Sequence, residues 1–427
     1  MLTEPVSAHR PGPRLRVLVV APFVPAVIAS HGASAAIGDT LSALTRHHDV
    51  SLIYLRGPEE FPLDDELAAQ LRLVREVRRP DPASHPGRKT SILLGLLRGW
   101  PMWAQQWWSP QLAADLVEIV ERWKPDVVQV ELSVMARYVK VLKRHQPKVI
   151  FAVHDPAVPA AKTELHRHRG ALWLLHAADV WAWRRAEKVA ARNGDSVLVF
   201  TEADARQIEW AAGPTPISVI PLGVPIPKHP LHAAGTEPAT ALFVGSSRHP
   251  PNVEAVQRLC MSLLPRLVTQ VPKVRLEIIG HYPAATVTDD LREHVTMLDR
   301  VPSVAPYLDK AAVVVAPLRL GGGMRVKVLE ALAAGKAVVG TSIAFAGLTV
   351  VQDGAAIGAD DDDSFAAAVA WLMNDDDARR RLGERARAWA LTNLSWNQRL
   401  RRYDELFGRL TNSHPTDESL AQGAPSG

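Results

Sequence analysis

The sequence predicts an α/β protein made of two Rossmann-like, doubly wound parallel-sheet domains that face a cleft. Three observations carry this. Short, β-branched apolar runs alternate with helical stretches along most of the chain. A proline-rich interval at 220–238 divides that alternation into two sets. The length of 427 residues is also more than a single hydrophobic core usually serves.

The first set opens at 16–20, an unbroken apolar run of the kind a parallel strand needs when both faces are covered. A loop through His31 and Gly32 leads to a helix predicted over 35–45, and 49–54 is the next strand. Further strands are predicted at 126–130, 148–153 and 196–200, with long helices near 112–123 and 172–192. Beyond the proline-rich interval come a strand at 240–244, a helix at 252–264 and a strand at 275–279 that ends at Gly280. A strand at 311–316, a helix at 326–334 and a strand at 337–340 follow. The predicted division is one domain over 1–225, a second over 226–390, a helix at 391–410 crossing back to the first domain, and a tail at 411–427 with no apolar face. Asp360, Asp361, Asp362 and Asp363 look like a metal cluster, but acids before a helix at 364–372 read better as a helix start that complements the dipole.

Composition narrows the class. Hydrophobic residues at 47% and charged residues at 22% are ordinary for a soluble globular chain. A formal net charge of +4, with no basic block interleaved with aromatics, gives no reason to expect a nucleic acid partner. The one cysteine, Cys260, excludes a disulfide framework and a multi-cysteine metal site, and reads as buried packing. The polar, proline-rich residues 1–13 do not resemble a signal peptide. The most apolar runs, 92–97 and 311–316, fall far short of the about 20 residues a spanning helix needs. The expectation is a cytoplasmic protein, with peripheral contact at the inner face of a membrane left open.

The chemically informative stretch begins where the strand 311–316 ends. Gly321, Gly322, Gly323 and Met324 lead into a helix that carries Arg325, Lys327, Leu329 and Glu330. Glycines let a backbone approach a ligand closely, and the N–H groups at a helix start favour phosphate. Two cations in the first turn oppose the helix dipole unless an anion sits there. Glu330, one turn beyond Lys327, is suited to accept hydrogen bonds from paired ribose hydroxyls. The alternative is a glycine-rich turn followed by a helix with an ordinary Lys–Glu surface pair, and both readings stay open on this stretch alone.

His154 and Asp155 follow the strand 148–153, and ligands gather at strand ends in α/β sheets. The ring can bond a ligand hydroxyl with Asp155 orienting it; a plain loop histidine is the alternative. Glu131 either faces the cleft or caps the chain after its strand. Trp100, Trp103, Trp107 and Trp108 form one tryptophan group, and Trp173, Trp181 and Trp183 a second. They suit helix packing, or a surface with one wet and one apolar side, where Arg184, Arg185, Lys188 and Arg192 would meet an anionic lipid or a polyprenyl-diphosphate acceptor.

The sequence GGGMRVKVLEALAAGKAVVG at 321–340 resembles the donor-site signature of a branch of glycosyltransferase family 4. So do FVGS at 243–246 with PNVEAV at 251–256, IPLGV at 220–224, the strand 151–155 before a long helical insert, and Ser395-Trp396. The resemblance covers roughly 16–406 and implies a GT-B fold, with the acceptor domain first and the nucleotide-sugar domain second. It implies transfer of a sugar from a nucleotide-sugar, UDP- or GDP-linked, to a hydroxyl acceptor, with retention and without a metal ion or other cofactor. Glu330 would bind the ribose, while Arg325, Lys327 and the helix start hold the diphosphate. Gly321, Gly322, Gly323, Met324 and Leu329 would complete the donor site, and Arg248 would join it from the second domain's first loop. Gly32 would face the phosphates across the cleft, and His154 would sit by the donor sugar.

Two positions depart from the family's pattern. Many members carry a paired glutamate whose first member falls where this chain has Gly322. Many also carry Arg and Lys soon after the glycine matching Gly245, where this chain has Ser246, Ser247 and then Arg248. The leaving-group oxygen is expected to take the acceptor proton, so that no side-chain base is required. A nucleotide-sugar epimerase of the same fold and a catalytically silent scaffold protein remain as alternatives.

Overall fold

The structure is a computed structural model that describes residues 13–25, 32–58, 60–79, 88–145, 147–224, 226–247, 249–283, 287–299, 301, 303–320 and 325–411. Among these residues, thirteen strands form two sheets in which every pairing is parallel. The first sheet holds β1 (Arg16–Ala21), β2 (Asp49–Arg56), β3 (Leu73–Arg78), β4 (Val127–Glu131), β5 (Lys148–Val153), β6 (Ser196–Val199) and β7 (Ile217–Val219), in the order β3-β2-β1-β4-β5-β6-β7. The second holds β8 (Glu237–Val244), β9 (Arg275–Ile279), β10 (Val295–Leu298), β11 (Ala311–Ala316), β12 (Val338–Gly340) and β13 (Ile357–Gly358), in the order β10-β9-β8-β11-β12-β13.

The central strands are apolar throughout because helices cover both faces. All six residues of β11 are buried, as are five of the six in β1. Edge strands read differently. In β3 the sequence LVREVR buries only Val77, so its alternation of charge and aliphatic leaves no continuous run. Each sheet sits in its own core, and the C-terminal helix Trp396–Thr411 belongs to the first: Trp396, Leu400, Tyr403, Leu406 and Phe407 pack into the core built on β1, β2, β4, β5 and β6.

Several local expectations change. The helix expected to begin at residue 35 begins at Gly32, so Gly32 is its first residue and not part of a loop. The helix expected over 252–264 runs Pro250–Arg258, then widens into a π turn at Leu259–Leu263 that places Cys260 in the core. The proline-rich interval ends early, since β8 starts at Glu237. The four acids do start a helix, Asp362–Asn374: Asp361 caps it by accepting the Ser364 N–H at 2.8 Å, and Asp362 binds Arg258 at 2.7 Å and Arg319 at 2.9 Å. Among the described residues, no helix is long and apolar enough to cross a membrane.

Candidate active site

In open parallel sheets, ligands bind beyond the carboxyl ends of the strands, where the strand order reverses. The first sheet reverses between β1 and β4, and the second between β8 and β11. Beyond β1 the chain leads to the helix Gly32–Leu44, and beyond β11 to the helix Val326–Ala333. These two helices meet. A Cβ placed on Gly32 would lie 3.3 Å from Val326 Cγ2, so glycine permits the close approach. Val326 also shares a small buried apolar cluster with Ala36, Phe200 and Leu222 of the first half of the chain.

The Val326–Ala333 helix starts at Arg325, whose side chain does not cap it, and its first turn carries no acid. The first N–H groups of a helix have no acceptor within it, so this end holds partial positive charge beside two cationic residues. Lys327 Nζ bonds the Glu330 carboxylate at 2.9 and 3.2 Å. The Arg325 guanidinium faces Asp155 and Asp204 of the first domain; burial pulls it below its ordinary range, and the two carboxylates oppose that. Burial, then the Arg325 charge, lowers His249 in turn.

Across the cleft, Asp39 is buried on the Gly32–Leu44 helix. Loss of solvation, then the nearby Glu330 charge, pushes it up to about 7, with Lys327 opposing. Asp155 keeps an accessible face, yet the cleft walls crowd its carboxyl enough that desolvation, reinforced by Asp204, raises it to about 6. Glu187 is fully buried under the loop after β5, accepts the Ala157 N–H at 2.6 Å, and is raised by burial to about 7.

His154 lies two residues beyond the Ala152 position that pairs with Glu131, and this register brings ring and carboxylate together. His154 Nε2 sits 2.6 Å from Glu131 Oε2, and the other oxygen, Oε1, accepts Gln129 Nε2 at 2.6 Å. The ring packs on Phe200 at 4.7 Å. The carboxylate bonded to His154 is therefore Glu131, while Asp155 feels the charges of Asp204, Arg325 and His154. Alternating positions on a strand share a face, so Gln129 and Glu131 in VVQVE were the available signal for a buried polar pair.

Of the residues singled out from the sequence, the structure brings Gly32, Arg325, Lys327 and Glu330 to the meeting of the two helices, with His154 beside Phe200 of the same apolar cluster. Leu329 does not join them as a side chain: it is fully buried in the second core, on the face of its helix turned to the sheet. Gly321, Gly322, Gly323, Met324, Arg248 and His31 lie outside the described residues. The tryptophans divide: Trp107 and Trp183 are core, while Trp103, Trp173 and Trp181 are exposed. Among the described residues, one group, Glu164, His168 and His176, has potential metal-ligand atoms within 4.8 Å of one another. Its carboxylate is already shared between His168 at 3.0 Å and Arg167 at 3.2 Å.

Two parallel-sheet α/β domains facing across a cleft, with a cationic helix start in the second, define the GT-B architecture of glycosyltransferases. Residues 30–227 match the family described as Glycosyltransferase Family 4, and residues 238–375 match Glycosyl transferases group 1. Between them the two matches span most of the chain, which belongs to the family 4 type of glycosyltransferases. A comparison with curated protein sequences gives no match. Among solved structures, sucrose-phosphate synthase from Thermosynechococcus elongatus is 15% identical, covering 94% of this chain and 100% of that one with a TM-score of 0.67. Anabaena HepE in complex with UDP-glucose is 14% identical over 93% of this chain and 100% of its own, with a TM-score of 0.61. TarM is 11% identical over 92% and 98%, also with a TM-score of 0.61. At such identities the likeness is one of fold.

Proposed function

We propose that this glycosyltransferase moves a sugar from a UDP- or GDP-linked donor to a hydroxyl acceptor, with retention of configuration and without a divalent cation. The observation that carries the reading is the Lys327–Glu330 pair at the start of a helix that abuts the first domain. An exposed ion pair three residues apart on a helix is worth only about 0.3–0.5 kcal/mol. A donor can therefore take it apart cheaply, giving its diphosphate to Lys327 and its ribose hydroxyls to Glu330. Arg325 and the helix N–H groups then stand where charge develops on the leaving diphosphate, the role a metal ion fills elsewhere. In a retaining transfer the acceptor arrives on the face the nucleotide leaves, so a leaving-group oxygen can take its proton. Asp39 and Glu330, facing each other across the cleft, would bring the first domain into register with the bound nucleotide.

Thermal unfolding across UDP-, GDP- and dTDP-linked sugars tests the donor half, since binding stabilises the native state by mass action. One nucleotide class should raise the Tm, and should do so equally in the presence of a chelator. No shift with any of them would remove the reading. Product anomer by NMR decides retention.

The acceptor is proposed to be lipid-linked and the contact with membrane peripheral. Leu97, Trp103, Leu174 and Trp181 are exposed by 74%, 58%, 65% and 54%, an expense that an aqueous surface does not explain. Arg184, Arg185 and Lys188 are exposed on the same helix as Trp181. Flotation with anionic liposomes at low salt should carry the protein upward; failure to float removes the membrane contact without touching the transferase reading.

A further inference from the structure

The buried polar chain behind His154 has no part in the transfer as described so far, and it is the least expected feature of the first domain. Its members come from four elements. Tyr403, on the C-terminal helix and almost fully buried, lies beside Gln129 and beside Thr40 on the Gly32–Leu44 helix. Gln129, with no exposed surface, bonds Glu131, and Glu131, 2% exposed, bonds His154. A carboxylate so deep in a sheet is costly unless its oxygens are satisfied. Here both are, one by an amide and one by a ring nitrogen.

The backbone next to Glu131 bears a second mark. Leu132 has φ 67° and ψ 148°, a conformation essentially reserved for glycine. Its N–H is held by the Ala152 carbonyl at 2.8 Å and its own carbonyl by the Met135 N–H at 3.0 Å. The chain thus accepts strain one residue beyond Glu131, where it turns away from the sheet, and outliers of this kind gather at functional sites.

We propose that Glu131 is a positioning residue: it draws the proton of His154 to Nε2, so that Nδ1 is the nitrogen offered to a substrate hydroxyl, and Gln129, with Tyr403 packed beside it, holds Glu131 in that task. A ring nitrogen's role is set by what the other nitrogen bonds. With an ionised carboxylate against Nε2, that nitrogen carries hydrogen, and Nδ1 of the neutral ring is left as an acceptor. A sugar hydroxyl facing it must donate, which fixes the direction in which that hydroxyl's own lone pairs point. Tyr403 extends this control to the last helix of the fold, which packs into the first domain's core. The choice of a hydroxyl as the group that meets Nδ1 rests on the glycosyltransferase reading; the tautomer does not.

The test separates the two. Full-length protein labelled with 15N-histidine, with His154→Asn to assign the signal, reports which ring nitrogen bears the proton at mildly alkaline pH. Nε2–H is expected for His154, and in Glu131→Gln the signal should move towards a mixture of tautomers. Nδ1–H in the unaltered protein, or an unchanged signal in Glu131→Gln, overturns the proposal. In turnover, Glu131→Gln should lower kcat roughly tenfold to a hundredfold, with nucleotide affinity kept. Glu131→Asp should recover part of the loss. Tyr403→Phe, which keeps the ring and removes only the hydroxyl, should lower kcat by a smaller factor and serves if Glu131→Gln does not fold. A kcat unaltered in both variants also overturns the proposal, whereas an unaltered protein that transfers no sugar while showing Nε2–H sinks only the functional reading.

Discussion

The two sides of the cleft treat their charges in opposite ways. In the second domain, the Lys327 and Glu330 side chains are 36% and 28% exposed and, among the described residues, bond each other across one helical turn. In the first, His154 and Glu131 are 9% and 3% exposed, and the carboxylate is saturated by its neighbours. The first arrangement is cheap to break and suits groups that exchange partners when a ligand arrives. The second is expensive to break and suits a group that must already be in place. The difference teaches where binding energy and where preorganisation reside: substitutions on the donor helix should be felt in nucleotide affinity and leaving-group chemistry, and those behind His154 in turnover alone.

The sharpest way to break this contrast is Lys327→Ala. Removing the cation closest to the proposed diphosphate should lower kcat by at least about 100-fold while thermal unfolding stays cooperative, because the side chain is partly exposed and supports no core. Near-normal turnover would place the diphosphate elsewhere. Glu330→Gln comes next. Losing a charged acceptor for ribose hydroxyls should weaken nucleotide binding roughly tenfold to a hundredfold with a smaller change in kcat, measured by calorimetry and initial rates. If kcat fell and affinity held, Glu330 would act on the sugar and not on the ribose.

Local patterns made the fold and part of this cleft legible from sequence. Central strands such as 311–316 are continuous apolar runs because both faces are covered, and that shows without any partner in view. β3 escaped because an edge strand needs only one buried residue, and β13 because two residues carry no periodicity. Arg325, Lys327 and Glu330 stand out because they are neighbours along one helix. Glu131 and His154 meet only through the register of β4 on β5, so neither announces the other. Asp39 is the extreme case: it is buried on its helix and feels the charge of Glu330 from the other domain, which nothing local in the sequence announces. Leu329, which the resemblance adds to the donor site, turns its side chain into the second core, because successive side chains on a helix point to different faces.

Asp39 gives the contrast a pH dependence. Its folded-state value near 7 lies above that of an unfolded aspartate, so between about pH 4 and 7 the unfolded chain holds fewer protons than the native one. Stability therefore falls as pH rises through that window. Asp155 near 6 and Glu187 near 7 act with the same sign. Asp39→Asn should flatten part of the slope and raise stability at alkaline pH by on the order of 2 kcal/mol, read by chemical denaturation at several pH values. An identical slope in the variant would mean that Asp39 is solvated and the helices stand further apart. Glu330→Gln should shift the same slope more weakly, since Glu330 is the second cause and burial the first.

The smallest expected effect probes the contact on which both halves depend. Gly32→Ala places a methyl 3.3 Å from Val326 Cγ2, tighter than ordinary contact, so one helix must yield by a few tenths of an ångström. The cost should be about 0.5–1 kcal/mol, within reach of a careful denaturation curve. Val326→Ala alone should also destabilise, because it empties part of the apolar cluster with Ala36, Phe200 and Leu222. Combined, the two changes should cost less than their sum, since the methyl added at residue 32 fills space vacated at residue 326. Contacting residues show such coupling and distant ones do not. A strictly additive pair would mean that the two helix starts do not touch in solution, and the exchange of Lys327 and Glu330 would then occur on an open domain and not in a closed cleft.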